Sequence, residues 1–378
     1  MQLPDVWFWL IAVLWTGYFF LEGFDFGVGV LTRLLARGEK ERRLLINTIG
    51  PVWDGNEVWV ITAIGATFAA FPEWYATLLS GFYLPVLLIL VALILRAVAF
   101  DYRGKRDDAR WRRNWDRAIF FGSVVPAFAW GLIFANLVRG VPIGPDHNYA
   151  GGLTDLLSPY ALLGGVVTLA LFTLHGTVFV ALKTVGPIRE RARALATRTA
   201  LVTAVPFGAF LIWTQSEHGT APSLGALLVG AAALAAATLA NRAAREGWAF
   251  VWSGVAIVAV VAMTFLTLYP DVMPSSLNPA WNLTVDNASS TPYTLTIMTW
   301  VAAFITPVVI GYQAWTYWVF RRRIGTQHIP DDAHPTVPAP AQTPAVPTVP
   351  APAQTPAAAD PAVAADPAAG TDPTPATR

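Results

Sequence analysis

Nine apolar runs, separated by short polar or basic stretches, fill most of the first 320 positions of this chain. A helix needs about 20 apolar residues to cross the hydrocarbon core of a bilayer. Inside that core every backbone polar group must be satisfied within the chain, so helices are the economical solution. The runs cover residues 6–34, 52–70, 76–100, 118–138, 158–182, 200–213, 224–241, 248–269 and 295–320. The sixth is short, and its helix is expected to reach back to about residue 195. Of the 378 residues 55% are hydrophobic and 13% charged, with a mean hydropathy of +0.49. Soluble domains carry about 25% charged residues. The expected class is therefore an all-α polytopic membrane protein whose first partner is the lipid bilayer, and no nucleic-acid partner is expected. Cysteine is absent, which excludes disulfides and thiolate metal sites. Residues 1–5 lack a basic segment and the run after them is too long for a signal core, so no cleavable signal is expected.

Basic residues orient the runs. Of the 25 lysines and arginines, all but Arg33, Arg96 and Arg139 fall in the stretches after runs one, three, five, seven and nine. The intervening stretches hold only Arg139, at a run end. The positive-inside rule then puts the N terminus outside and the C terminus in the cytoplasm. Two stretches lie outside the membrane pattern. Residues 270–294 form a long outer loop in which Asn282 and Asn287 match a glycosylation pattern that carries no weight here. From residue 329 to 378 the chain is rich in Pro, Ala and Thr, and TVPAPAQTPA at 336–345 recurs at 348–357. Such a stretch cannot bury a core and reads as a disordered cytoplasmic tail behind a membrane domain of residues 1–328.

Carboxylates sit where a bilayer should exclude them. Glu22 and Asp25 lie three apart in the first run and share one helix face. Gly23 and Gly27 between and beyond them permit close helix approach. Asp54, Asn56 and Glu57 open the second run, flanked by Trp53 and Trp59 and preceded by Pro51, which reads as a first-turn residue. A charge near the bilayer centre costs about 2.5–3.5 kcal/mol on insertion scales. Two readings stay open for each pair. Either the carboxylates carry protons, Asp54 collecting them at the cytoplasmic helix end, or they lock neighbouring helices and complement the helix dipole. Arg96 reads as an interface anchor that snorkels toward water. His175 is the only histidine inside a run and reads as a hydrogen-bonded core residue. Met263 and Met298 do not pair with it as an axial ligand set. No P-loop or HExxH motif occurs.

GFDFGVG at 23–29, ERR at 41–43, WDGNEVW at 53–59, SGFY at 80–83, FDYR at 100–103, WDRAIFFGSVVP at 115–126, MPSS at 273–276 and MTW at 298–300 together resemble subunit II of cytochrome bd quinol oxidase. The likeness covers roughly residues 6–323 and leaves out the tail. It implies two four-helix bundles plus one peripheral helix, and a heterodimer with subunit I. It places the haems b and d and the quinol-oxidising loop in that partner, with no cofactor bound by this chain alone. It also admits a structural quinone and a small single-span third subunit. The complex takes electrons from quinol to oxygen in a bacterial or archaeal plasma membrane. This chain would stabilise subunit I and line part of a proton route from the cytoplasm. The matching family carboxylate in WDG is Asp54, with Asp25 nearby; Glu22, Glu57, Trp53, Asn56, Trp59 and His175 would line or support the route. The family also uses an uncharged amide at the Glu57 position. Alternatives are a purely structural subunit and a proton-coupled secondary transporter.

Overall fold

A computed structural model describes residues 2–330. The repeated Pro/Ala stretch lies outside the described residues. Eleven α-helices occur among them: α1 Leu3–Leu34, α2 Glu39–Ile49, α3 Trp53–Ala70, α4 Pro72–Gly81, α5 Tyr83–Tyr102, α6 Ala109–Arg139, α7 Pro159–Lys183, α8 Pro187–His218, α9 Ala221–Arg242, α10 Glu246–Leu268 and α11 Pro292–Val319. Local chemistry sets several starts. Ser158 before α7 accepts from the Ala161 amide (3.1 Å), Thr291 before α11 from the Thr294 amide (3.3 Å), and Asp108 before α6 from the Arg110 amide (2.7 Å). In α7 and α11 a proline follows the cap, at the position where its missing N–H costs nothing.

Eight helices, α1 and α5 to α11, are long and apolar enough to cross a membrane. The chain is a multi-pass membrane protein. The run at 52–70 does form a helix, α3, but Asp54, Asn56 and Glu57 in its first turns keep it out of that set. The run at 76–100 is not one helix. It breaks at Phe82, which is fully buried and ends α4 before α5 begins. Ser80 and Gly81 just before it are the only local mark, because the apolar residues on both sides leave no gap in hydropathy. The helix of the sixth run reaches back to Pro187, further than residue 195. Residues 39–49 fold as α2, whose Leu44, Leu45 and Ile49 pack beneath the basic face. The packed part also includes Ile329, 4% exposed, one residue into the stretch read as tail.

Helix α1 is the hub and packs against α3, α6, α7 and α10. Glycine sets its closest approach: a Cβ at Gly27 would lie 2.7 Å from the Gly176 Cα of α7, so the two backbones touch where both residues lack side chains. About three turns toward the start of α1, Trp15 meets Trp130 and Phe134 edge-on at 4.9 Å, and Trp130 donates to the Tyr18 hydroxyl (3.1 Å). By contrast α11 lies at the rim, and only its Leu295 is buried. The long loop before α11 is ordered by a short antiparallel pair, β1 Asp271–Met273 with β2 Leu283–Thr284. Asn282 accepts from the Ser275 amide and donates to Asp271, both at 2.8 Å, so it serves to close that loop.

Candidate functional site

The polar residues of the first two runs converge at one place between α1, α3, α5 and α11. Their helices dictate it: Glu22 and Asp25 lie one turn apart on α1, Asn56 faces α1 from α3, and α5 brings Arg96 across from below Phe100. Glu22, Asp25, Asn56 and Arg96 are all 0% exposed. Glu22 Oε1 is ion-paired with Arg96 Nη1. The guanidinium also lies over the Phe26 ring at 4.9 Å and the Phe100 ring at 5.4 Å, within cation–π range. Arg96 therefore does not snorkel. A carboxylate partner inside the protein removes the drive to reach water.

Asp25 Oδ2 accepts from Asn56 Nδ2 at 2.7 Å. The Asn56 amide is oriented so that its oxygen accepts from the Tyr317 hydroxyl (2.7 Å) and from Gln313 Nε2 (3.2 Å), both on α11. Gln313 Oε1 in turn accepts from Trp59 Nε1 (2.8 Å). One hydrogen-bonded string thus joins α1, α3 and α11. Glu22 Oε2, Asp25 Oδ1, Arg96 Nε and Arg96 Nη2 are buried without a protein partner. Buried polar atoms are normally paired by protein or by ordered water, so four orphans in one cluster mark a polar interior with hydrogen-bonding capacity to spare.

The other expected residues fall around this string. Asp54 lies in the first turn of α3 and is exposed; no side chain caps that helix, and Pro51 lies before its Val52 N-cap rather than in the first turn. Capping by Asp54 is therefore absent, while its favourable position near the helix dipole remains. Glu57 is half-buried, one turn deeper. Trp53 packs on Phe100 at 5.0 Å. His175 lies apart from the string. Its Nδ1 is 2.7 Å from Ser253 Oγ, and its ring stacks on Phe250 at 4.5 Å with Phe20 and Phe24 also against it. That enclosure suits a core histidine, and its Nε2 is buried without a protein partner. Among the described residues no group of three or more His, Asp or Glu side chains is arranged to hold a metal ion.

Sequence reasoning passed over Gln313 and Tyr317. The available signal was their i, i+4 spacing as polar residues in an otherwise apolar run. Nothing in the sequence pairs Arg96 with Glu22, 74 positions away.

A hub helix with buried, partly unsatisfied carboxylates inside a polytopic bundle defines a membrane protein whose intramembrane ionisable groups are its candidate functional feature. The family of cytochrome bd terminal oxidase subunit II matches residues 3–320. Subunit 2 of the cytochrome bd ubiquinol oxidase of Bacillus subtilis (strain 168) is 47% identical over 331 residues, covering 85% of this chain and 97% of that protein. The cytochrome bd-I ubiquinol oxidase subunit 2 of Escherichia coli (strain K12) is 38% identical over 370 residues, covering 88% and 98%. A solved bd oxidase structure from Geobacillus thermodenitrificans has the same fold, with a TM-score of 0.69 at 17% identity over 84% of this chain and 99% of that one. The chain belongs to the cytochrome bd terminal oxidase subunit II family. It is a transmembrane subunit of a respiratory quinol oxidase, an oxidoreductase complex.

Proposed function

We propose that this chain is the haem-free partner of subunit I in a plasma-membrane oxidase, and that it supplies part of the proton route from the cytoplasm as well as holding the interface. The haems of the partner supply the chemistry of oxygen reduction with electrons from quinol. This chain's residues bind, orient and relay protons. The carrying observation is the buried string from Asp25 through Asn56 to Tyr317, with an orphaned carboxylate oxygen at its inner end. Asp54, exposed at the start of α3, collects protons from water; Glu57 continues one turn inward; Asp25 and Glu22 receive them, while Arg96 balances their charge. Trp53, Trp59 and Asn56 keep the path narrow and oriented.

In this reading α3 is the ninth crossing despite its polar first turns, because it packs on α1 and its charged end reaches the surface. Nine crossings put the termini on opposite sides, the basic residues set the N terminus outside and the C terminus in the cytoplasm, and the helices group as two four-helix bundles plus one peripheral helix. The bare face of α11, with Trp300, Phe304 and Trp315 exposed, is where subunit I would seat. The family likeness also admits a small third subunit and a structural quinone.

A purely structural role is the competing reading, favoured by the Glu22–Arg96 ion pair, which locks α1 to α5. Asp54→Asn in the assembled complex separates the two. A proton-entry residue loses quinol-driven oxygen uptake at unchanged haem b and d absorbance. A scaffold residue keeps both, and a secondary transporter would show neither haem bands nor oxygen uptake on co-expression with subunit I.

A further inference from the structure

On the basic face, a cavity of about 440 Å³ opens between the end of α1, α2 and the start of α6. Arg33 of α1, Arg42 of α2 and Arg112, Arg113 and Arg117 of α6 line it, against two carboxylates, Glu39 and Asp116. Both carboxylates are already engaged from the side by Arg103. Its Nε donates to Asp116 Oδ1 (2.5 Å), and its Nη1 and Nη2 donate to Glu39 Oε1 and Oε2 (2.8 and 2.7 Å). The acids are thus spent on Arg103, outside the cavity lining, and on Arg42, which lies 3.5–3.6 Å from both. Arg112 pairs with Asp107 (2.6 Å). Arg33, Arg113 and Arg117 have no carboxylate within ion-pair distance among the described residues; Arg33 lies over the Phe120 ring at 5.3 Å and Arg117 is 3.4 Å from Asn114 Oδ1. Three guanidinium groups from two helices therefore converge on one concavity with uncompensated charge. Guanidinium forks match phosphate oxygens in pairs, which is the geometry such a concavity offers an anion.

The surroundings say where the anion comes from. Leu34, next to Arg33, is 61% exposed, and Phe121, one helical turn beyond Arg117, is 55% exposed. Arginines at the rim, with the bare Phe121 one turn inward on α6 and Leu34 bare beside Arg33, form the profile of a phospholipid, phosphate above and acyl chain below. Basic pockets between transmembrane helices on the positive side are recognised lipid-headgroup sites.

We propose that this cavity binds an anionic phosphate group, held by Arg33, Arg113 and Arg117 and delivered by an anionic phospholipid of the bilayer. The site is separate from the α1–α3–α11 string, and its test does not depend on turnover. The complex with subunit I, delipidated in detergent, is titrated with short-chain phosphatidylglycerol, with phosphatidylcholine, and with inorganic phosphate, and adducts are counted by native mass spectrometry. The variants are R33Q/R113Q/R117Q, the same three positions changed to lysine, and the control R321Q/R322Q/R323Q. At about fivefold per basic residue, the triple glutamine variant binds phosphatidylglycerol about a hundredfold more weakly; the lysine variant, which keeps the charge and loses the fork, falls between it and the wild type, and the control keeps binding. Phosphatidylcholine binds weakly throughout. If inorganic phosphate occupies the wild-type site and displaces the lipid, the phosphate chemistry stands and the free ion is its source. Equal phosphatidylglycerol binding by wild type and the triple glutamine variant, at unchanged haem absorbance in both, overturns the proposal, as does an absence of saturable binding to the wild type.

Discussion

Two arginine–carboxylate clusters, one within the bundle and one on the basic face, use the same groups to different ends. At the face, all three nitrogens of Arg103 donate to Glu39 or Asp116, and Arg42 lies 3.5–3.6 Å from both carboxylates. In the interior, Arg96 spends one nitrogen on Glu22 and leaves Nε and Nη2 without a protein partner, while Glu22 and Asp25 each keep one bare oxygen. The face cluster is saturated and serves as a clamp joining α2, α5 and α6. The interior cluster is unsaturated in a setting where every unmade hydrogen bond is costly. Those open valences are what the proposed proton path would use, with Asp25 and Glu22 within hydrogen-bonding reach of each other.

Breaking the interior pair tests this contrast most severely. Arg96→Leu leaves Glu22 buried with no counter-charge, and a broken buried pair costs about 3–5 kcal/mol. The expected result is a sharply lower yield and thermal midpoint of the purified complex. Adding Glu22→Leu should recover most of that loss but not oxygen turnover. Full recovery of both would reduce the interior cluster to a clamp like the one on the face.

A gentler change addresses the string. Tyr317→Phe removes one donor to Asn56 and leaves its oxygen with Gln313 alone, a loss of about 1 kcal/mol. Stability should move little. Turnover should fall by more than that stability change implies, because Asn56 loses its fixed orientation toward Asp25. Unchanged steady-state oxygen uptake in this variant would remove Tyr317 from the route.

The smallest effect lies on the face. Burial pushes the Glu39 carboxyl up, but its hydrogen bonds to Arg103 outweigh that and hold it below its ordinary value of 4.5. A depressed folded-state value means the stabilisation is fully present above pH 4.5 and is lost as pH falls through the lower folded value. Glu39 is partly exposed, so Glu39→Gln should cost no more than about 1 kcal/mol at neutral pH, and nothing further at low pH. Melting of variant and wild type from pH 7 down to 3.5 checks this. A gap that widens with acid would reverse the sign of the account.

Much of this was legible in the sequence because the bilayer enforces one rule along the whole chain. Runs of apolar residues had to be helices, and carboxylates within them had to meet something polar. Asp25 and Glu22 were therefore conspicuous, and so was the Asp54–Glu57 knot. What they met was not legible. The pairing of Glu22 with Arg96 and of Asp25 with Asn56 depends on how helices distant in sequence pack, and hydropathy is blind to rotation about a helix axis. The same blindness hid the break at Phe82, where only Ser80 and Gly81 interrupt the apolar residues, and α2, where five charged residues conceal three buried apolar ones. Arg96 misled for a physical reason: an arginine near a helix end has an inexpensive exit to water unless a carboxylate waits inside.

The central claim is that Asp54 feeds protons into the interior cluster. Proton uptake during oxygen reduction by the complex reconstituted in vesicles, wild type against Asp54→Asn at matched haem content, tests it most directly. The account predicts that uptake and oxygen reduction slow together by about tenfold or more, equivalent to about 1.4 kcal/mol of barrier. Uptake at the wild-type rate in Asp54→Asn would contradict it and leave this chain a structural subunit.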